Sequence, residues 1–233
     1  MINWPKSLVT ELAARRCVVF CGAGVSAGAV AANGIDALPD WSKFLTDFTR
    51  LVHNVGDAEE ARRLIESKQF LDAAQIIWDN ANPGDMAVYL RTVFINPGYK
   101  ASPIHKLVHE IDPKIVVTTN YDEIYENYCY QIAGTQAYNV CKYYETHALN
   151  DIRSNVRCIL KAHGSMSDTT RIVLTRASYF EARRSFPEFY VILDSLFLTN
   201  TLLFLGAGLS GVRDMEVEVR PRGGTPSSFQ SVH

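Results

Sequence analysis

Three short apolar runs in this chain end in residues whose types could do chemistry. Ile115-Val-Val-Thr118 runs into Thr119-Asn120-Tyr121-Asp122, which places an amide and a carboxylate two residues apart. Cys158-Ile-Leu-Lys-Ala162 runs into His163-Gly164-Ser165, which brings an imidazole and a hydroxyl. Cys17-Val-Val-Phe-Cys21 runs into Gly22-Ala-Gly-Val-Ser26-Ala-Gly28. Glycines directly after a strand let the backbone approach a pyrophosphate, and the helix that follows offers N–H groups and a positive dipole end. An imidazole titrates near neutral pH, so His163 is suited to general base work. Ligands of open α/β sheets bind outside the carboxyl ends of the strands. The three ends together outline a nucleotide pocket with a polar reaction centre.

Each feature also has a plain structural reading. The spacing G-x-G-x-x-x-G is not the dinucleotide fingerprint G-x-G-x-x-G, and no acidic residue ends an obvious second strand. A tight strand–helix turn accounts for a lone match of this kind as well as phosphate binding does. Asn and Asp are favoured helix N-caps, and Asp122 is expected to cap the helix Glu123–Ile132. Capping does not need Asn120, which is left to point into the crevice. A lone histidine near a strand is more often a satisfied core residue, but Gly164-Ser165 puts His163 at a strand end.

The elements that must position these residues alternate along the chain. A first helix is expected around Pro5–Arg15, ahead of the strand Cys17–Cys21. Trp41, Phe44, Leu45, Phe48, Leu51 and Val52 recur at helical spacing, and further helices are expected over Ala58–Ser67, Phe70–Asn80, Asp85–Phe94 and Pro103–Glu110. That stretch is too long for a simple crossover and reads as a helical insertion, about 41–112, capping the sheet edge. Strands are expected at Lys114–Thr118, weakly at Tyr138–Cys141, at Arg157–Ala162, Arg171–Leu174 and Thr201–Leu205, with helices over Arg176–Arg184 and Pro187–Thr199. Strands separated by helices make this an α/β chain, a Rossmann-like parallel sheet with helices on both faces. From Gly211 to His233 the periodicity stops, and this tail reads as disordered or altered.

Composition narrows the classes. With 233 residues, 47% hydrophobic and 21% charged, the chain reads as one large soluble domain with a sizeable core. Lys plus Arg (23) nearly balances Asp plus Glu (25), which argues against a strong pull to nucleic acid or acidic membranes. No apolar run reaches bilayer length and no signal peptide is evident, so a cytoplasmic location is expected. The five cysteines include no C-x-x-C pair, which argues against a disulfide framework and a structural zinc site. His105 and His109 could share a helix face for a metal, but a third ligand is missing and a solvated helix edge is the preferred reading; no metal is expected. Phe180, Phe186, Phe189 and Tyr190 are expected to pack helices on the sheet, and Arg62-Arg63 and Arg183-Arg184 to lie on exposed faces.

Five motifs in order carry a family resemblance: Gly22-Ala-Gly-x-Ser26, Leu38-Pro39-x-Trp41, Thr118-Thr-Asn-Tyr-Asp122, Lys161-x-His163-Gly-Ser165 and Leu205-Gly-Ala-Gly-Leu-Ser210. Over about residues 1–210 the chain resembles the sirtuin (SIR2-like) superfamily, in particular the bacterial SIR2-like NAD-hydrolase domains of antiphage defence. The resemblance implies that Ala23, Gly24 and Ser26 contact the pyrophosphate and nearby ribose, with Gly22 allowing the turn. It implies that Asn120 holds the nicotinamide ribose and positions water, that Asp122 faces the carboxamide and that His163 is the catalytic base. Trp41, Thr119, Gly164 and Ser165 join the expected NAD+-binding set, and Gly206 and Ser210 match the segment near the adenosine half.

What the resemblance implies for function is an NAD+ glycohydrolase, the toxic effector of an abortive-infection system, held off until triggered. NAD+ is then substrate, and control by homo-oligomerisation or by a defence partner (an ATPase, an Argonaute-like protein or a sensor) is expected. Two alternatives stay open: a sirtuin-type protein deacylase and a non-catalytic NAD or ADP-ribose binding module. Deacylases of the superfamily carry a four-cysteine zinc module, and no cysteine follows His163 here. After Ser210 the chain also departs from the family's acidic segment, so an incomplete adenosine side is expected.

Overall fold

The computed structural model describes residues 4–208; Ser210 and the tail beyond it lie outside the described residues. The chain opens with α1 (Lys6–Ala13), β1 (Cys17–Cys21) and the single turn α2 (Ala23–Ser26). Next come α3 (Trp41–Phe48), α4 (Val55–Glu66), α5 (Phe70–Asn80), α6 (Pro83–Phe94) and α7 (Pro103–Ile111). Then follow β2 (Ile115–Thr118), α8 (Ile124–Ala133), β3 (Tyr138–Lys142), α9 (Ala148–Arg153) and β4 (Arg157–Lys161). Last are α10 (Arg176–Ser185), α11 (Pro187–Thr199) and β5 (Thr201–Leu205). The strands form one five-stranded sheet in the order β3-β4-β2-β1-β5, and each described pairing is parallel. This is the expected Rossmann-like α/β architecture.

Why these segments become strands follows from burial on both faces. β1 and β2 are buried at every position, as continuous apolar runs in a parallel sheet should be. On one face Val18, Phe20, Val117 and Leu160 pack with Ala182, Phe189, Leu193 and Leu196 of α10 and α11. On the other, Val19, Val116 and Ile159 pack with Val108 of α7 and with Tyr125 and Cys129 of α8. Fully burying one such side chain stabilises the fold by roughly 1.5–3 kcal/mol. The five cysteines are buried and free, as small hydrophobes.

Helices α3 to α6 build a separate core around Phe44, Phe48, Ala61, Ala73, Ile77 and Leu90. Phe44, Phe48 and Tyr89 stack on one another at 5.1–5.8 Å between ring centroids. That core also buries Tyr121, Met166, Ile172 and Leu174, so it grips the loops leaving β2 and β4. Caps fix the helix starts: Asp40 accepts from the Lys43 N–H, and Asn54 and Asn82 cap α4 and α6.

Three expectations are corrected. Arg171–Leu174 is no strand; a 3-10 turn over Thr169–Arg171 leads into unpaired extended chain. β4, the strand it follows, already lies between β3 and β2, so this segment cannot pair beside it. It buries Ile172 and Leu174 in the helical core, and the Val173 N–H bonds the His163 carbonyl at 3.0 Å. Phe180 is 60% exposed rather than packed on the sheet, whereas Phe186, Phe189 and Tyr190 do pack there. His105 and His109 do not form a solvated edge: His105 is 1% exposed, and His109 Nδ1 lies 2.9 Å from the Tyr138 hydroxyl.

Among the described residues, no helix is long and apolar enough to cross a membrane.

Candidate functional site

Parallel register sets the stage. Leu205, Cys21, Thr118 and Lys161 are successive partners across the sheet, so the chain leaves four strands at one level. Gly22, Asn120, His163 and Gly206 all come one or two residues past that row. The sequence's three polar strand ends are thus brought side by side, joined by the end of β5.

The glycine-rich turn is explained first by backbone packing. Gly22 N–H donates to the Leu205 carbonyl at 2.9 Å and Gly24 N–H to the Gly206 carbonyl at 2.8 Å. A Cβ on Gly22 would stand 2.6 Å from Ala207 Cα, and one on Gly24 would stand 2.7 Å from Gly206 Cα. The turns after β1 and β5 therefore touch through their main chains, which only glycine allows. α2 is a single turn whose Gly24 and Val25 N–H groups are committed, so the helix-dipole contribution expected from the sequence is slight. Ala23, Gly24 and Gly206 remain exposed on the outer lip, where a ligand can reach them.

Gly206 also sits at φ +62, and a Cβ there would meet Val25 N at 2.4 Å. We expect Gly206→Ala to lower stability by at least ~2 kcal/mol, the left-handed backbone alone costing ~1–2. A urea midpoint equal to wild type would contradict this packing.

Asn120 is held from two sides. Its Nδ2 donates to the Gly22 carbonyl and to Ser26 Oγ, each at 3.1 Å. A carbonyl can only accept, so the amide orientation is fixed, and Oδ1 is the group left to accept from a ligand. The Asn120 N–H in turn donates to Thr118 Oγ1 at 3.1 Å. Asp122 is buried; the N-cap of α8 is Glu123 rather than Asp122, but Asp122 Oδ1 accepts the Ile124 N–H at 3.1 Å from one residue further back. Asn120, Asp122, Thr118, His105, Tyr125 and Glu126 help line a cavity of about 10 Å³, the room of one water. Tyr125 Oη is buried with no hydrogen-bond partner among the described residues. A larger hollow of about 410 Å³, lined by Lys43, Arg50, Tyr89 and Tyr99 among others, shares no residue with this cluster.

His163 is buried against Tyr179, whose ring meets it edge-on at 4.9 Å. Burial, with the Arg183 charge adding to it, pushes its pKa down to about 3. The imidazole is therefore neutral at physiological pH, but it does not titrate near neutrality as the sequence led one to expect, because burial opposes its charged form. Native His163 binds its proton far less readily than the ordinary imidazole with a pKa of 6.5. Its contribution is then complete above pH 6.5 and is lost as pH falls through the window down to about 3. Wild type should lose more stability than His163→Leu between pH 7 and pH 5.5 in urea titrations; equal losses would contradict the burial.

The remaining expected residues divide. Gly164 has φ +80 and a Cβ there would meet the Arg171 carbonyl oxygen at 2.5 Å, so backbone geometry demands glycine. Ser165 is fully buried and donates to Glu123 Oε1 at 2.6 Å. Burial opposes ionisation of Glu123, yet hydrogen bonds from Ser165 and Ser167 leave its carboxyl below the ordinary range. Trp41 sits edge-on to Phe44 and Tyr121 at 5.8 and 6.3 Å, so packing accounts for it. Thr119 is half-buried beside Asn120.

Two buried groups beneath the site escaped the sequence reading. Lys161 Nζ pairs with Glu126 Oε1 and donates to the Asp122 carbonyl at 2.6 Å. Burial raises the Glu126 carboxyl, against the pull of Lys161. His105 reaches Ser26 Oγ at 3.3 Å. A Ser-Pro start with histidine three residues on, Ser102 to His105, was the available signal for a capping histidine. Elsewhere, ligand atoms of Cys141, Glu145 and His147 lie within 4.8 Å of one another. Burial pushes the Cys141 thiol up to about 12, so it is protonated at neutral pH.

The fold and this cluster define a Rossmann-like α/β protein with polar residues gathered at the carboxyl ends of its strands. Residues 114–217 match the family model described as SIR2-like domain, so the chain carries SIR2-like sequence from β2 onward. It is also 23% identical over 201 residues to "Defense-associated sirtuin 2" of Bacillus subtilis, which covers 83% of this chain. The chain spans 18% of that relative's length.

Proposed function

We propose that the chain is an NAD+ glycohydrolase, which splits NAD+ into nicotinamide and ADP-ribose, and serves as the effector of an antiphage defence protein. One observation carries the reading: the Asn120 amide nitrogen is committed to Gly22 and Ser26, which leaves its oxygen as an acceptor at the end of β2, next to the end of β4 that carries His163. The SIR2-like match and the name of the Bacillus subtilis relative support the same reading.

The nicotinamide of NAD+ is already a cationic leaving group, so no general acid is required to expel it. Asn120 Oδ1 holds a ribose hydroxyl or the attacking water, and neutral His163 accepts a proton. The exposed lip of Ala23, Gly24 and Gly206 is the side from which the pyrophosphate approaches, and Asp122 faces the carboxamide. A positioned base contributes ~10²–10⁴-fold, and a preorganised amide adds to it. Residues 1–210 make up the NAD+-binding domain in this reading, with 41–112 as its helical cap. No metal is required. Control by self-assembly or by an ATPase, Argonaute-like or sensor partner in the cytoplasm completes the proposal.

The test compares NAD+ turnover with and without an acetyl-lysine peptide. Equal nicotinamide and ADP-ribose release in both supports the hydrolase. Release only with peptide, accompanied by acetyl-ADP-ribose, would replace it with a deacylase.

A further inference from the structure

A histidine outside the strand ends reaches the floor of the crevice. His105 stands in the first turn of α7, is 1% exposed and stacks on Tyr125 with ring planes 22° apart. The Ser102 backbone N–H donates to its Nδ1 at 3.1 Å; the Ser102 hydroxyl, 2.8 Å from the same nitrogen and 2.9 Å from the Val25 carbonyl, can give its one proton to either. A backbone N–H can only donate, so Nδ1 carries the lone pair, and in a neutral ring the proton sits on Nε2. Burial holds His105 below the ordinary imidazole range, opposed by the Asp122 charge, and so favours the neutral ring. The Nε2–H therefore donates to Ser26 Oγ at 3.3 Å. Ser26 Oγ also accepts from Asn120 Nδ2 at 3.1 Å, so both its lone pairs are in use.

We infer that His105 is a positioning residue, which acts through Ser26 to fix the Asn120 amide. Its donated hydrogen bond fills the second lone pair of the Ser26 hydroxyl. The Ser26 proton is then the only hydrogen of that group left for a ligand oxygen. With Asn120 Oδ1 as acceptor, the crevice floor presents one donor and one acceptor, a pattern suited to ribose hydroxyls. Remove the His105 donor and Ser26 can turn its proton inward, so the floor loses its single defined pattern. The inference rests on the hydrolase reading, yet the hydrogen-bond chain can be read without turnover.

His105 also helps cap α7, so folding and positioning must be separated. Ser102→Ala removes the capping hydroxyl but keeps the backbone N–H bond to Nδ1; it should lower Tm and leave kcat within about 3-fold. His105→Leu should lower kcat by ~10–100-fold with a smaller change in KM, as loss of a buried hydrogen bond predicts. His105→Gln can both cap at this position and donate, and should recover most of that loss. A purely structural role predicts instead that kcat follows Tm across all three variants, and that outcome overturns the inference.

Side-chain ¹⁵N NMR supplies the arm that needs no activity. His105, assigned by comparison with His105→Gln, should show a protonated Nε2 and a bare Nδ1. The Asn120 side-chain amide should be sharp in wild type and broadened in His105→Leu. A protonated Nδ1 would overturn the inference even in an active enzyme. If wild type released no nicotinamide, the hydrolase reading would fall while the NMR result still decided the hydrogen-bond chain.

Discussion

Asn120→Ala should cut nicotinamide release by ~10²–10⁴-fold, the range expected when a preorganised polar group is removed from a reacting centre. Two hydrogen bonds go with it, to Gly22 and to Ser26, but both partners lie on one turn that is also held by β5. The fold should therefore lose only about 1 kcal/mol per bond, and the melting transition should stay cooperative. Asn120→Asp is the sharper probe. It keeps the size and the outward oxygen but sets an acceptor against the Gly22 carbonyl, so the side chain must turn and the orientation is lost. Activity in Asn120→Asp near the wild-type level would contradict the role given to the locked amide.

The second large effect is on stability. Lys161 is 1% exposed, and its ammonium is satisfied by the Glu126 carboxylate and the Asp122 carbonyl. Removing one partner of a buried pair leaves an uncompensated charge, at a cost of ~3–5 kcal/mol. Lys161→Met should shift the urea midpoint accordingly, and Lys161→Met/Glu126→Leu should recover much of the loss, because a well-packed apolar pair of similar volume is often neutral. The double variant also frees the Asp122 carbonyl, so NAD+ turnover should not recover with stability. If Lys161→Met were as stable as wild type, the pair could not be fixing the Asp122 loop.

How much of this was legible in sequence depends on where each residue's burial comes from. β1, β2 and β4 were readable because strands covered on both faces are apolar without interruption. Asn120 and His163 were readable because polar residues that follow such strands must emerge at their carboxyl ends. Arg171–Leu174 has the same composition as a strand, and only the fold shows that its Ile172 and Leu174 are buried by the helical core instead of by a sheet. α9, with six residues, is too short to display a helical period. His105 was hidden for another reason: its neighbours on α7 include exposed Lys106 and Leu107, while the groups that bury it come from β1's turn and α8. Lys161 likewise looks like an ordinary strand-end cation until Glu126 of α8 is brought beneath it.

The central claim is hydrolysis of NAD+ at the strand-end crevice. The most direct measurement follows the nicotinamide resonances of NAD+ by ¹H NMR, with wild type and His163→Ala at several protein concentrations. The account predicts that wild type converts NAD+ to equal amounts of free nicotinamide and ADP-ribose, and that His163→Ala does not. NAD+ resonances that shift on binding but never convert, at any concentration, would contradict it and leave a binding module in its place.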